Sequence, residues 1–113
     1  MITGVHSIVF STAAEEDRAF FREALGLRSV DVGGGWLVFA LPPAELAVHP
    51  AGDARHELYL MCDDIHATLD ALRAKGVDVS AEITDAGWGL LSSIKLPSGG
   101  TLAIYQPRHD TAF

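Results

Sequence analysis

Two stretches of this chain carry the same punctuation at a fixed distance. VHSIVFS (residues 5–11) and HELYLMC (56–62) both read as strands, and each runs into a helical pattern that stops at a glycine, Gly26 or Gly76. His6 and His56 are 50 residues apart, as are the two glycines. After each helix come three short apolar runs separated by turn residues. In RSVDVGGGWLVFALPPAELAVHP the breaks fall at Gly33-Gly34-Gly35 and Pro42-Pro43; in the second half they fall at GWG and PSGG. The pattern is a tandem βαβββ repeat. What repeats is the punctuation, because Leu69 and Leu72 face Ala19 and Arg22 at the same offset.

The helix signals are local. TAAEEDRAFFREALGL begins at a Thr12 cap, and Glu15-Glu16-Asp17 lie where the helix dipole favours acids. DDIHATLDALRAKGV is capped by Asp63 or Asp64 and carries Ile65, Leu69 and Leu72 on one face. The linker AGDAR (51–55) is short, so the two units pack on one another or exchange with a second chain. A ferredoxin-like α+β domain is the rival architecture, and a helix between residues 28 and 50 would favour it.

The 113 residues make one domain, 49% hydrophobic and 20% charged with a mean hydropathy of +0.23, which excludes a disordered chain. Eight scattered cations against fifteen acids give a net charge of -7, so neither nucleic acid nor an anionic membrane is an expected partner. MITGVHSIVF has no cationic leader pattern, and the lone Cys62 has no internal partner; a cytoplasmic protein is expected.

At the level of motifs the chain resembles the vicinal oxygen chelate superfamily, which holds glyoxalase, bleomycin-resistance and extradiol dioxygenase proteins. RAFFREALGL is similar to its "FY…LGL" helix end, LPSGGTLAIYQP to its closing "DPDGN.IEL..P" hairpin, and His56…DDI…Gly76-Val77 to the opening of its second module. The likeness covers residues 4 to 107. It implies an α+β fold in which tandem βαβββ modules form a cupped mixed sheet around a small-molecule site. Residues 1–113 would be a single domain, with module one at about 1–50 and module two at about 56–107.

In metal-dependent members, the resemblance implies, each module gives a residue at the start of its first strand and a carboxylate on its last. The first-strand positions here are His6 and His56, but the carboxylate positions are Ala47 and Ala103. Alanine donates no electron pair, so the standard metal site is not expected and no cofactor is required. A displaced site of His6, His56 and either His49 or Glu45 is the alternative that would hold a divalent ion such as Fe, Mn, Ni or Zn. Strand alternation puts Glu45, Ala47 and His49 on one face, as it does Thr101, Ala103 and Tyr105. The cup would then be lined by His6, Ile8 and Phe10 together with His56, Leu58 and Leu60.

Other motifs carry less. Cys62 and His66 straddle a strand end and a helix start, HELYL lacks the second histidine of HExxH, and GGGW joins two strands rather than cradling a phosphate. His66 and His109 are expected to be solvated.

The expected ligand-binding set is His6, Phe10, Trp36, His49, His56, Trp88 and Tyr105, with Phe39 as a further aromatic wall; a planar or aromatic molecule suits such a cup. The expected function is sequestration of that ligand by a homodimer without the standard metal. One alternative is a metal-dependent lyase, isomerase or dioxygenase with Glu45 or Tyr105 as acid or base. Another is a dimeric regulatory module without chemistry.

Overall fold

The computed structural model describes residues 6–45, 47–48, 50–53 and 55–113. Its elements run α1 (Ala14–Glu23), β1 (Ser29–Asp31), β2 (Leu37–Phe39), β3 (Tyr59–Met61), α2 (Ile65–Ala74), β4 (Thr84–Asp85), β5 (Gly89–Lys95) and β6 (Thr101–Pro107). The fold is α+β.

From β3 onward the chain builds a full βαβββ unit, with strands in the order β3-β6-β5-β4. The pair β3 and β6 is parallel; β5 is antiparallel to both β6 and β4. A parallel pair needs a crossover, and α2 begins it. Asp64 caps this helix by accepting the Ala67 N–H at 3.1 Å, and the Gln106 side chain accepts the Ile65 N–H at 3.0 Å, fixing the helix start against β6. Gly76, at φ +82°, ends it in the left-handed conformation that a glycine adopts without strain.

Ile65, Leu69 and Leu72 are buried, as their spacing predicts. They pack with Ile94, Leu96, Leu102 and Ile104 from one face of the sheet. Phe20, Phe21 and Leu25 from α1 and its exit join the same core, so both helices contribute to one side of the sheet. The opposite side of β5 and β6 carries Leu91, Ser93, Ala103 and Tyr105, which are paired Leu91 with Tyr105 and Ser93 with Ala103.

The first half departs from the expected pattern. α1 begins two residues after Thr12, at Ala14, and has no side-chain cap. β1 and β2 form an isolated antiparallel hairpin, whose GGGW turn is held by Asp31 accepting the Gly33 N–H at 2.8 Å. No helix interrupts the described residues between 28 and 50. The strands expected at 5–11 and after Pro43 are not paired in any sheet among the described residues. An isolated strand leaves its backbone donors and acceptors without a ladder, so sequence propensity alone does not make one. Several of their apolar side chains stay in solvent: Phe10 is 91% exposed, and Ile8 and Val48 are exposed as well.

The two halves are joined through Asp17, which is 4% exposed. Its carboxylate accepts the backbone N–H of Ser98 at 3.1 Å and the Ser98 hydroxyl at 2.7 Å. The acid read as a dipole partner is a buried tie to the β5–β6 turn.

Candidate functional site

Tyr105 lies at the centre of an aromatic cluster on the face of the sheet opposite the helices. Its ring is 7% exposed and meets Tyr59 edge-on at 5.6 Å between centroids and Trp88 at 5.3 Å. Trp88 and Tyr59 close the triangle at 6.1 Å. Each contact is edge-to-face, the arrangement that opposes the positive edge of one ring to the negative face of the next. Trp88 is 45% exposed, so the cluster opens to solvent on that side.

Backbone geometry sets each ring. Tyr59 and Met61 pair in register with Ala103 and Tyr105, which places all four on one face. Trp88 projects from the β4–β5 turn, whose shape is fixed by Asp85 accepting the Gly87 N–H at 2.9 Å. The Arg108 guanidinium donates to Asp85 at 2.6 Å, and the Arg108 N–H donates to the Trp88 carbonyl at 2.9 Å. Gly89 has to be small: a Cβ there would lie 2.9 Å from the Gln106 carbonyl oxygen and 3.1 Å from Tyr105 Cδ2.

Polar groups border the rings. The Tyr105 hydroxyl donates to Glu45 Oε1 at 3.3 Å, and His109 Nε2 is 3.5 Å from the same hydroxyl. The His109 ring is roughly parallel to Tyr105, at 27° and 6.1 Å between centroids. Glu45 Oε2 accepts the Ala112 N–H at 2.9 Å. On the other side, the Tyr59 hydroxyl donates to Glu57 at 2.6 Å.

These contacts shift the phenols. Burial, then the charge of Glu45 and the hydrogen bond to it, push the Tyr105 phenol above its ordinary value of 10.0. The hydrogen bond to Glu57, then burial, raises Tyr59 as well. At neutral pH both hydroxyls keep their protons and act as donors. A buried phenol donor beside a carboxylate can orient a flat polar ligand or hold a proton at one of its oxygens.

The expected site residues divide. Glu45, Trp88 and Tyr105 come together. Trp36 stands elsewhere, exposed, with the Arg18 guanidinium 4.9 Å from its ring centre. Phe39 packs on Phe21 at 5.7 Å rather than lining a cup. His6, Phe10 and His56 are exposed, and His49 lies outside the described residues.

One expectation is off by a residue. Leu58 and Leu60 pack on the helix-side core, so the β3 residues sharing the face of Tyr105 are Tyr59 and Met61. Because side chains alternate along a strand, a shift of one residue exchanges the two faces completely. Carried back from β3, that alternation gives His56 the parity of Leu58 and Glu57 that of Tyr59. Tyr59 and His109 were missed as site residues. The signal for Tyr59 was present, since two leucines alternating with Glu57 and Tyr59 mark the core side.

No three His, Cys, Asp or Glu side chains converge as a metal site among the described residues. His6, His56 and Glu45 therefore do not form one together. Burial, reinforced by Asp63 and Asp64 against an opposing hydrogen bond to Thr68, raises the Cys62 thiol above 9.0. A thiol so shifted is a poor nucleophile at neutral pH.

The family model for the Glyoxalase/Bleomycin resistance protein/Dioxygenase superfamily matches residues 5–104. A search of curated proteins finds no match. Among solved structures, the chain is similar to TnmS3, an antibiotic-binding protein from Streptomyces sp. CB03234, at 25% identity and a TM-score of 0.68, covering 94% of this chain and 97% of that one. A glyoxalase/bleomycin resistance protein from the same Streptomyces strain shares the fold at 24% identity and a TM-score of 0.60, over 87% and 95% of the two chains. Lactoylglutathione lyase from Agrobacterium tumefaciens shares it at 15% identity and a TM-score of 0.63, over 92% of each chain. The chain belongs to the Glyoxalase/Bleomycin resistance protein/Dioxygenase superfamily.

Proposed function

We propose that this protein binds a planar or aromatic small molecule at the Tyr59–Trp88–Tyr105 cluster and acts by sequestration. The observation that carries the reading is the cluster itself: three edge-packed rings, open at Trp88 and bordered by the Glu45 carboxylate and the Tyr105 hydroxyl. Rings supply area for stacking, and the two polar groups supply orientation. The likeness to an antibiotic-binding protein at 25% identity supports the same reading. Sequestration needs affinity rather than chemistry, and the alanines at 47 and 103 are compatible with that.

The working form is a homodimer. Among the described residues, Ile8 and Phe10 lie in exposed chain outside any strand ahead of α1, and β3 stands at the edge of its sheet. An apolar segment without a ladder and a sheet edge without a neighbour are complementary, and a second copy supplies both at once. Among the described residues no helix is long and apolar enough to cross a membrane. A single half-buried thiol suits the reducing cytoplasm, where we place the protein.

Trp88 provides the test. Titrating a panel of planar aromatic compounds should quench tryptophan fluorescence saturably, and Trp88→Phe should remove the ligand-dependent part while Trp36→Phe leaves it. Silence across the panel, or quenching that depends only on Trp36, would overturn the reading.

A further inference from the structure

The aromatic cluster is already occupied on one side by the chain itself. Arg108 is pinned to the β4–β5 turn through Asp85 and the Trp88 carbonyl. From that fixed root, residues 109–112 turn back over Tyr105. His109 lies roughly parallel to the Tyr105 ring, and the Ala112 N–H donates to Glu45 Oε2 at 2.9 Å. The His109 Nδ1 is 2.9 Å from the Asp110 carbonyl oxygen. A carbonyl only accepts, so Nδ1 donates to it, while Nε2 lies 3.5 Å from the Tyr105 hydroxyl and 3.9 Å from Glu45 Oε1.

We propose that residues 109–113 are an intramolecular strap on the site, displaced by a flat heteroaromatic ligand that carries an N–H or O–H donor. The strap rests on the small-molecule reading above, and the ligand class follows from what the strap supplies. The strap lays one planar ring roughly parallel to Tyr105 at its hydroxyl end and gives one N–H to the carboxylate of Glu45, and a ligand taking its place has to offer both. A ring without a donor would leave a Glu45 oxygen, in a side chain only 19% exposed, without the partner that Ala112 gives it. Arg108 stays in place when the strap leaves, because its own contacts are to the turn.

The strap lowers apparent affinity by the fraction of time it is open; closure for nine-tenths of the time weakens binding about tenfold. The test uses proflavine, a planar ring system with amino donors, and acridine, the same rings without them. Deleting residues 109–113 should tighten proflavine binding about tenfold, with His109→Ala giving part of that gain. Acridine should bind more weakly than proflavine to both forms, and the peptide HDTAF added in trans should compete for the shortened protein. Ring-current shifts read the strap without any ligand: His109 protons should resonate upfield of those in the free peptide and return toward the peptide values as proflavine saturates. Unshifted His109 protons, or equal affinity with and without residues 109–113, would overturn the strap and leave the binding site standing. Failure of both compounds to bind either form, with His109 shifted, would remove the displaceable strap together with the small-molecule reading on which it depends.

Discussion

The carboxylate of Asp17, in the first turn of α1, accepts both the backbone N–H and the hydroxyl of Ser98 in the β5–β6 turn, 81 residues away. Burial by itself pushes this carboxyl up. Hydrogen bonds from the Ser11 side chain and from both groups of Ser98 outweigh it and hold the group below its ordinary 3.8. Hydrogen bonds to a charged group contribute about 1.5–3 kcal/mol, so Asp17→Ala should lower unfolding free energy by about 2 kcal/mol in urea melts, and Asp17→Asn by less. A depressed folded-state value means that the contribution is complete above the unfolded value and is lost as pH falls through the folded one. The difference between wild type and Asp17→Asn should therefore shrink below about pH 4.

Gly89 is predicted to tolerate no side chain. In Gly89→Ala the new methyl would meet the backbone carbonyl of Gln106, which cannot rotate away, and the ring edge of Tyr105. Overpacking of this kind costs about 1–3 kcal/mol. Near-UV circular dichroism should also weaken, because the Tyr105 ring has to leave its edge contacts. An unchanged aromatic spectrum would mean that the cluster does not depend on this close approach.

The two tyrosines of the chain, Tyr59 and Tyr105, should both ionise above pH 10 in a spectrophotometric titration of the folded protein. The folded state favours the protonated phenols. Their contribution to stability is thus present below the unfolded value and is lost as pH rises through the folded ones. Tyr105→Phe should leave a single late ionisation, cost about 1 kcal/mol for the missing hydrogen bond, and weaken donor-bearing ligands more than donor-free ones.

Phe10 is 91% exposed in a single chain, an unfavourable position for a large apolar ring unless something covers it. Phe10→Asp should shift the protein from dimer to monomer in sedimentation velocity, while the wild type remains a dimer at micromolar concentration. A wild-type monomer under those conditions would remove the proposed assembly.

Local signals in the sequence determined much of this structure. An aspartate cap at 63 or 64, the spacing of Ile65, Leu69 and Leu72 and the stop at Gly76 mark α2, because each acts within a few residues of the backbone it controls; the structure selects Asp64 and adds Gln106 at the helix start. The α+β class and the hairpins at the glycine turns followed from the same kind of signal. Strand pairing is not local. Residues 5–11 have strand propensity, yet the described part of that stretch belongs to no strand among the described residues, since a ladder depends on a neighbour that the segment itself cannot provide.

The candidate site divides along the same line. Trp88 and Tyr105 stand out as aromatics near turns, and Glu45 as a carboxylate on a plausible face. The one-residue parity of β3, which exchanges Leu58 and Leu60 for Tyr59 and Met61, was decided by the register with β6. The tertiary structure alone brought His109 onto Tyr105, Ala112 onto Glu45 and Asp17 onto Ser98. The contacts of Ala112 and Asp17 span 67 and 81 residues, and His109 meets Tyr105, four residues before it, where the chain leaves β6; no periodicity or cap in the sequence encodes which group a side chain will meet.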